Sequence, residues 1–220
     1  MEIEAGFLKR FDLEVYQTSL LEWGYQHFRE FPWRVTNNPY LILIAETLLH
    51  RTQAKQVVEI YLKFIEKYPD VEVLSRSSYE GIEECLKPLG LSWRTRLVQT
   101  MAKQIMDRYG GKIPIEKFEL MKLPGIGEYI ASSVRCFGFG FPEPIVDTNV
   151  MRVITRLLGI QFRDSLRRNK KFLELANKMM DARRPREYNF AILDLAYLVC
   201  RPKNPKCKEC PINSFCAYSD

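Results

Sequence analysis

The chain has 220 residues, 46% of them apolar, enough to bury the core of one large domain or of two small interleaved ones. Lys and Arg number 33 against 27 Asp and Glu, a formal charge of +6 that agrees with a polyanionic partner without demanding one. The strongest apolar run, residues 41–49, is interrupted by Glu46, and the start Met1-Glu2-Ile3-Glu4 is acidic and lacks a signal-peptide pattern. The expectation is therefore an intracellular, cytoplasmic protein with no membrane partner.

Nearly everything reads as helix. Apolar residues at helical spacing (Leu13, Tyr16, Leu20, Trp23) predict a helix over 13–28. Phe31-Pro32-Trp33-Arg34 breaks it; the two aromatics read either as a core plug under a loop or as a surface for a nucleobase or phosphate, and composition favours the plug. Asn38-Pro39 is a helix-start signal, Asn as cap and Pro in the first turn. The helix predicted over 39–53 is apolar nearly all round, yet carries Glu46 with His50 at i+4 and Gln53 at i+7, three residues on one face. A carboxylate in apolar surroundings tends towards a raised pKa, which suits a general acid. The alternative is an exposed Glu–His stripe.

Further helices are expected over 55–68, 79–86 and 93–109, the last ended by Gly110-Gly111. The segment Leu89-Gly90-Leu91-Ser92-Trp93-Arg94-Thr95-Arg96 reads as a nucleic-acid-contacting loop, or more plainly as a helix N-terminus with solvated arginines. Beyond it lies residues 123–147: the turn Leu123-Pro124-Gly125-Ile126-Gly127, an apolar helix, then Asp147. Gly125 and Gly127 permit backbone that other residues resist, and amides around such a turn suit a phosphate. Asp147 reads as the N-cap of a helix that Gly159 ends; such a carboxylate facing a cleft can also serve chemistry. The basic stretch 161–171 reads as a solvated face. Helices over 171–180 and 188–199 complete the pattern, and no convincing alternating strand pattern, hairpin signal or internal repeat is found.

The six cysteines divide sharply. Cys85 and Cys136 sit alone in apolar helical segments and read as buried thiols. Cys200, Cys207, Cys210 and Cys216 crowd into the last 21 residues as Cys-x6-Cys-x2-Cys-x5-Cys. In an intracellular protein this favours metal over disulfides. Spacing alone leaves tetrahedral zinc and a [4Fe–4S] cluster both open.

The motifs together resemble the endonuclease III/MutY superfamily of helix-hairpin-helix DNA glycosylases over residues 29–216. The Leu123–Gly127 turn followed by Val146-Asp147 resembles the family's hairpin and catalytic Asp. Phe31-Pro32-Trp33-Arg34 with Asn38-Pro39-Tyr40 resembles its (F/L)PWR…(D/N)PY pattern. Residues 45–53 resemble the MutY helix with its catalytic Glu, and Leu89-Gly90 with Arg94 and Arg96 resembles the minor-groove loop. All four cysteines match the family's iron–sulfur loop, so the resemblance implies a [4Fe–4S] cluster held by Cys200, Cys207, Cys210 and Cys216, in a mainly structural role that also presents basic side chains to phosphate.

Two departures bear on function. Endonuclease III carries a lysine two residues after the hairpin's last Gly, and this chain has Tyr129 there. A lysine amine can form a Schiff base with the sugar and permit strand cleavage, whereas a phenol cannot. Tyr129 is shared by some MutY proteins and by archaeal thymine–guanine mismatch glycosylases. MutY usually continues past the cluster into a further domain, and it has two Gln where this chain has His50-Arg51; the archaeal mismatch enzymes have basic residues there and a similar length.

The resemblance thus implies an all-α fold with two helical lobes flanking a DNA-binding cleft. A six-helix barrel with the hairpin is expected over residues 30–145, and an iron–sulfur lobe over 1–29 plus 146–220. It implies a monomeric, monofunctional glycosylase that removes thymine or uracil opposite guanine from double-stranded DNA, without strong abasic-site lyase activity. The implied catalytic residues are Asp147, Glu46 and Tyr129; Gly125, Gly127, His50, Arg51, Gln53 and Arg94 are the implied DNA contacts. Adenine excision of the MutY type is the alternative. A non-enzymatic helix-hairpin-helix module is the rival from another class, and it needs neither Glu46 nor Asp147.

Overall fold

The computed structural model describes residues 12–90 and 92–218. The acidic start at residues 1–4, Leu91 of the predicted contact loop and the terminal Asp220 lie outside the described residues. Every regular element among the described residues is helical, as the periodicity predicts. The chain forms two compact units, one of residues 1–29 with 142–220 and one of residues 30–141.

The first unit contains α1 (Leu13–His27), α9 (Thr148–Leu158), α10 (Lys170–Met179) and α11 (Pro185–Leu198). Side-chain caps define where three of them begin. Asp12 accepts from the Val15 amide at 3.1 Å, Asp147 from that of Val150 at 2.7 Å, and Asn169 from that of Phe172 at 3.1 Å. Each satisfies an amide that the helix itself leaves without a partner. On α9 the buried residues Val150, Met151, Val153, Ile154 and Leu157 form one inward stripe. They meet Tyr16, Leu20 and Leu21 of α1, Leu175 and Met179 of α10 and Leu195 of α11 in one core.

The α1–α11 contact depends on a missing side chain. A Cβ on Gly24 would stand 2.7 Å from the Ala191 Cβ and 2.9 Å from the Phe28 ring. Gly24→Ala is therefore expected to push α1 off α11. The cost, about 1–3 kcal/mol by the behaviour of overpacked cores, should appear as a lower thermal midpoint. An unchanged or higher midpoint would show that the contact yields without strain.

The second unit is built around α2 (Pro39–Leu49), capped by Asn38, whose side chain accepts from the Tyr40 amide at 2.9 Å. Tyr40 and every residue from Ile42 to Leu48 are buried, so α2 is apolar nearly all round because it is enclosed nearly all round. Packed about it are α3 (Ala54–Lys67), α6 (Trp93–Tyr109), α8 (Glu128–Ser133) and the π-turn Val134–Gly138 that continues α8. Two short helices not predicted from the sequence, α4 (Val71–Ser75) and α7 (Lys117–Leu120), join α5 (Tyr79–Leu86) in this unit. They are too short to show a period. Trp33 is buried and packs edge-on against Tyr61 at 5.4 Å, which supports the plug reading of the Pro-Trp-Arg break. Cys136 is buried as expected, but Cys85 is only half-buried.

Candidate active-site and metal-loop residues

α2 is shorter than its pattern implies. It ends at Leu49; His50 is the C-cap with φ −59° and ψ 112°, Arg51 takes φ 61°, and Gln53 caps the start of α3. The expected single helical face of Glu46, His50 and Gln53 is therefore corrected. Glu46 points inward at 6% exposure, which also removes the exposed-stripe alternative, while His50, Arg51 and Gln53 are exposed on a turn. The sequence hides this break because no Gly or Pro marks it; Arg51 adopts the left-handed region that glycine usually supplies. Burial and the charges of Arg51 and Arg94 hold the His50 imidazole below its usual pKa.

Arg94 also needs correction. The resemblance implies a contact to DNA, but Arg94 is fully buried, whereas Arg96 two residues on is exposed. The helical period explains this, since residues two apart lie on different faces. The Arg94 guanidinium donates to the His50 carbonyl and, at 2.9 Å, to the Thr52 hydroxyl. Beside it, Trp93 is 44% exposed, with its ring edge-to-face with that of His50 at 5.8 Å.

In the hairpin turn only one glycine is demanded by the backbone. Gly125 has φ 76°, and a Cβ there would stand 2.2 Å from a Leu97 methyl of α6. Gly127 has φ −93° and ψ −179°, extended backbone open to any residue, and a Cβ on it would meet nothing within 4 Å. The expectation that both need glycine for their conformation holds for Gly125 alone. No side chain caps the N-terminus of α8, and Gly125, Gly127 and Glu128 are exposed at its mouth. Tyr129, in the first turn of α8, is half-buried.

In the other unit Asp147 is held at both carboxylate oxygens. Oδ1 accepts from the Val150 amide at 2.7 Å and Oδ2 from the Asn149 side-chain amide at 2.9 Å. Asn149 in turn accepts from Arg152 at 2.9 Å, and Arg152 donates to the Cys200 carbonyl at 2.9 Å and the Ala196 carbonyl at 2.8 Å. A single run of hydrogen bonds thus joins Asp147 to the start of the cysteine loop. Behind it, buried Asn189 donates to the carbonyls of Glu143 (3.0 Å) and Pro185 (2.8 Å) and accepts from the Ile145 amide (2.8 Å). It thereby clamps the segment leading to Asp147 onto α11. Sequence reasoning missed Asn149, Arg152 and Asn189. The available signal was Asn189 itself, an amide between Tyr188 and Phe190 in an otherwise apolar stretch, which demands internal partners.

The cysteine loop is fastened to α9. Arg156 donates to the carbonyls of Arg201 (2.7 Å) and Pro202 (3.0 Å) and stands 3.4 Å from the Cys200 sulfur. The Ala217 amide donates to the Leu157 carbonyl at 3.1 Å. All four thiols are half-buried. Burial, then the charges of Cys200, Cys216 and Cys207, push the Cys210 thiol up to about 11, against a backbone amide from Ile212 that lowers it. Four half-buried thiols on one loop are the donor chemistry of a centre that takes four thiolates. Among the described residues no three His, Cys, Asp or Glu side chains converge as closely as ligands of one metal ion. Four thiolates suit a tetrahedral zinc and an iron–sulfur cube alike.

Among the described residues no helix is long and apolar enough to cross a membrane. Residues 44–178 match the HhH-GPD superfamily of base excision DNA repair proteins. The chain is 37% identical over 218 residues to a thymine-DNA glycosylase of Aeropyrum pernix, covering 96% of this chain and 97% of the relative. It is 36% identical over 211 residues to an adenine DNA glycosylase of Buchnera aphidicola, covering 93% of this chain and 58% of that one. Among solved structures, a thermostable thymine-DNA glycosylase superposes with a TM-score of 0.89 at 34% identity, covering 94% of this chain and 95% of that one. With its hairpin turn, its capping Asp147 and these relatives, the chain belongs to the HhH-GPD superfamily and is a DNA glycosylase of base excision repair.

Proposed function

We propose that this DNA glycosylase is monofunctional and mismatch-specific, removing thymine or uracil opposite guanine by hydrolysis of the N-glycosidic bond. What carries the reading is likeness along almost the whole chain to a thymine-DNA glycosylase, joined to the chemistry of Tyr129. The partner is double-stranded DNA with a mismatched or damaged base, bound by one copy of the chain inside the cell.

The target nucleotide is flipped out of the stack, which costs a few kcal/mol, about the least of it at a mismatch. The amides at the mouth of α8, with Gly125 and Gly127 keeping side chains out of the way, hold a backbone phosphate. The bond from C1′ to the base breaks and its electron pair leaves with the base. Asp147 stabilises the positive charge that develops on the deoxyribose and orients the water that adds to C1′. Glu46 hydrogen-bonds or protonates the departing base, and the proton released by the water balances the one the base takes. Tyr129 lines the pocket and offers no amine for a Schiff base, so the reaction stops at the abasic site. His50, Arg51 and Gln53 meet the partner base or the strand beside it. Cys200, Cys207, Cys210 and Cys216 hold a [4Fe–4S] cluster. When bound, it would supply structural cross-linking to a loop that leaves Lys203 and Lys208 exposed to phosphate, while Lys206 is paired with Glu209 at 2.7 Å.

Adenine excision is the second reading, favoured by the adenine DNA glycosylase relative and opposed by His50-Arg51 where MutY carries two Gln. Duplexes with T:G, U:G, A:G and A:8-oxoguanine pairs, each treated with alkali after incubation, separate the readings. Cleavage at T:G and U:G is expected; cleavage at the adenine pairs alone selects the second reading, and cleavage at none of the four rejects both base preferences. Borohydride should trap no adduct with the wild-type protein. Iron and broad visible absorbance are expected in the purified protein and should be lost in Cys207→Ser, whereas a colourless zinc protein would refute the cluster.

A further inference from the structure

Arg94 is an odd choice for a buried position. It is fully buried, yet its Nε and Nη1 are buried without a hydrogen-bond partner, and only Nη2 is used, on the His50 carbonyl and the Thr52 hydroxyl. Burial with unfilled donors makes a guanidinium a poor source of stability, since an apolar side chain of similar volume carries no such cost. What the guanidinium does supply is geometry. Its two acceptors lie on either side of Arg51, the residue at φ 61°, a conformation that L side chains adopt reluctantly. The turn is closed by the Thr52 amide on the Leu49 carbonyl at 3.0 Å. Held in this way, it exposes His50, Arg51 and Gln53 together, with the edge of Trp93 against His50.

We infer that Arg94 is a positioning residue for recognition of the base opposite the excised one, acting from beneath by holding the residue 50–53 turn in its strained form. The inference rests on the proposed function, which assigns that turn to the partner base, and it adds a determinant that never touches DNA. Without Arg94 the His50 carbonyl loses its donor, Arg51 relaxes out of the left-handed region, and the three exposed side chains lose the backbone that places them. Asp147 caps a helix of the other unit and Glu46 is buried within α2, neither of them in the turn, so the loss is expected to fall mainly on discrimination between partner bases.

The test is the ratio of single-turnover excision rates for thymine opposite guanine and thymine opposite adenine, measured on the full chain. In Arg94→Met the ratio is expected to fall about ten-fold, the size of one lost base-reading contact. Arg94→Lys, which keeps a cation under the His50 carbonyl, should recover part of it. A merely structural role lowers the active fraction and hence both rates in proportion, leaving the ratio as in wild type; that result overturns the inference. Should Arg94→Met fail to fold, Thr52→Val removes one of the two acceptors at little cost to packing and should shift the ratio in the same direction, and an unshifted ratio counts against the inference equally. Failure of the proposed function looks different, because wild-type protein then leaves T:G duplexes intact.

Discussion

Asp147→Asn is expected to lower base excision by about 10³-fold, within the range for loss of a positioned acid–base or electrostatic group, with little loss of fold. The two effects separate because the proposed mechanism adds a second job to the cap that Asp147 forms. As a helix cap it needs an oxygen acceptor for the Val150 amide, and Asn supplies one about as well as Asp does. As a catalytic group it needs negative charge against the developing cation on the sugar, and Asn has none. The substitution also sets an NH2 group against the Asn149 side-chain amide, which now donates to Oδ2. That lost bond costs about 1 kcal/mol, enough to lower the melting temperature by a few degrees and not enough to unfold the protein. Single-turnover excision from a U:G duplex beside a thermal melt reads both. Wild-type excision by the variant would remove Asp147 from the chemistry.

If, as proposed, the wild-type enzyme stops at the abasic site, Tyr129→Lys is expected to give a variant that forms a borohydride-trappable adduct and nicks the strand without alkali. Position 129 favours a reactive amine for two reasons. It lies in the first turn of α8, where the helix dipole disfavours an ammonium, and it is half-buried, where desolvation acts in the same direction. A lysine there is more often neutral and thus a nucleophile. The neighbouring Glu128 opposes this, but it is paired with Lys117 at 3.2 Å. Abasic DNA under borohydride is the direct assay, with wild-type protein as the blank. If the variant binds abasic DNA and forms no adduct, residue 129 does not reach C1′.

Much of the site could be read before any coordinates. Cap residues and apolar periods placed α1, α9 and α10 within a residue or two of their observed ends. Asp147 was legible as a cap because a carboxylate before an amphipathic run leaves few other readings. The four cysteines were legible from spacing as one group, and what they hold rests on the family resemblance. The misplaced residues share one cause. Whether a polar side chain in an apolar helix points inward or outward depends on what packs against it. Glu46 and Arg94 are buried, and His50 is exposed, because of neighbours distant in the chain. The break after Leu49 was equally hidden, since Arg51 takes its left-handed conformation with Arg94 pinning the residues on either side, 43 positions earlier in sequence than Arg94 itself by the numbering.

By itself the amino-acid order determined the helical class, the position of the hairpin turn, the capping role of Asp147, the cysteine loop and the absence of an amine at residue 129. These are local properties, set by backbone preference, spacing and functional-group chemistry. Only the tertiary structure decided that Gly125 and not Gly127 needs to be glycine for the fold. It also decided that Asn149 and Arg152 join Asp147 to the cysteine loop, and that Arg94 lies inside the protein. Each of these depends on hydrogen bonds or close approaches between helices, and a buried donor finds its acceptor only when packing brings the two together.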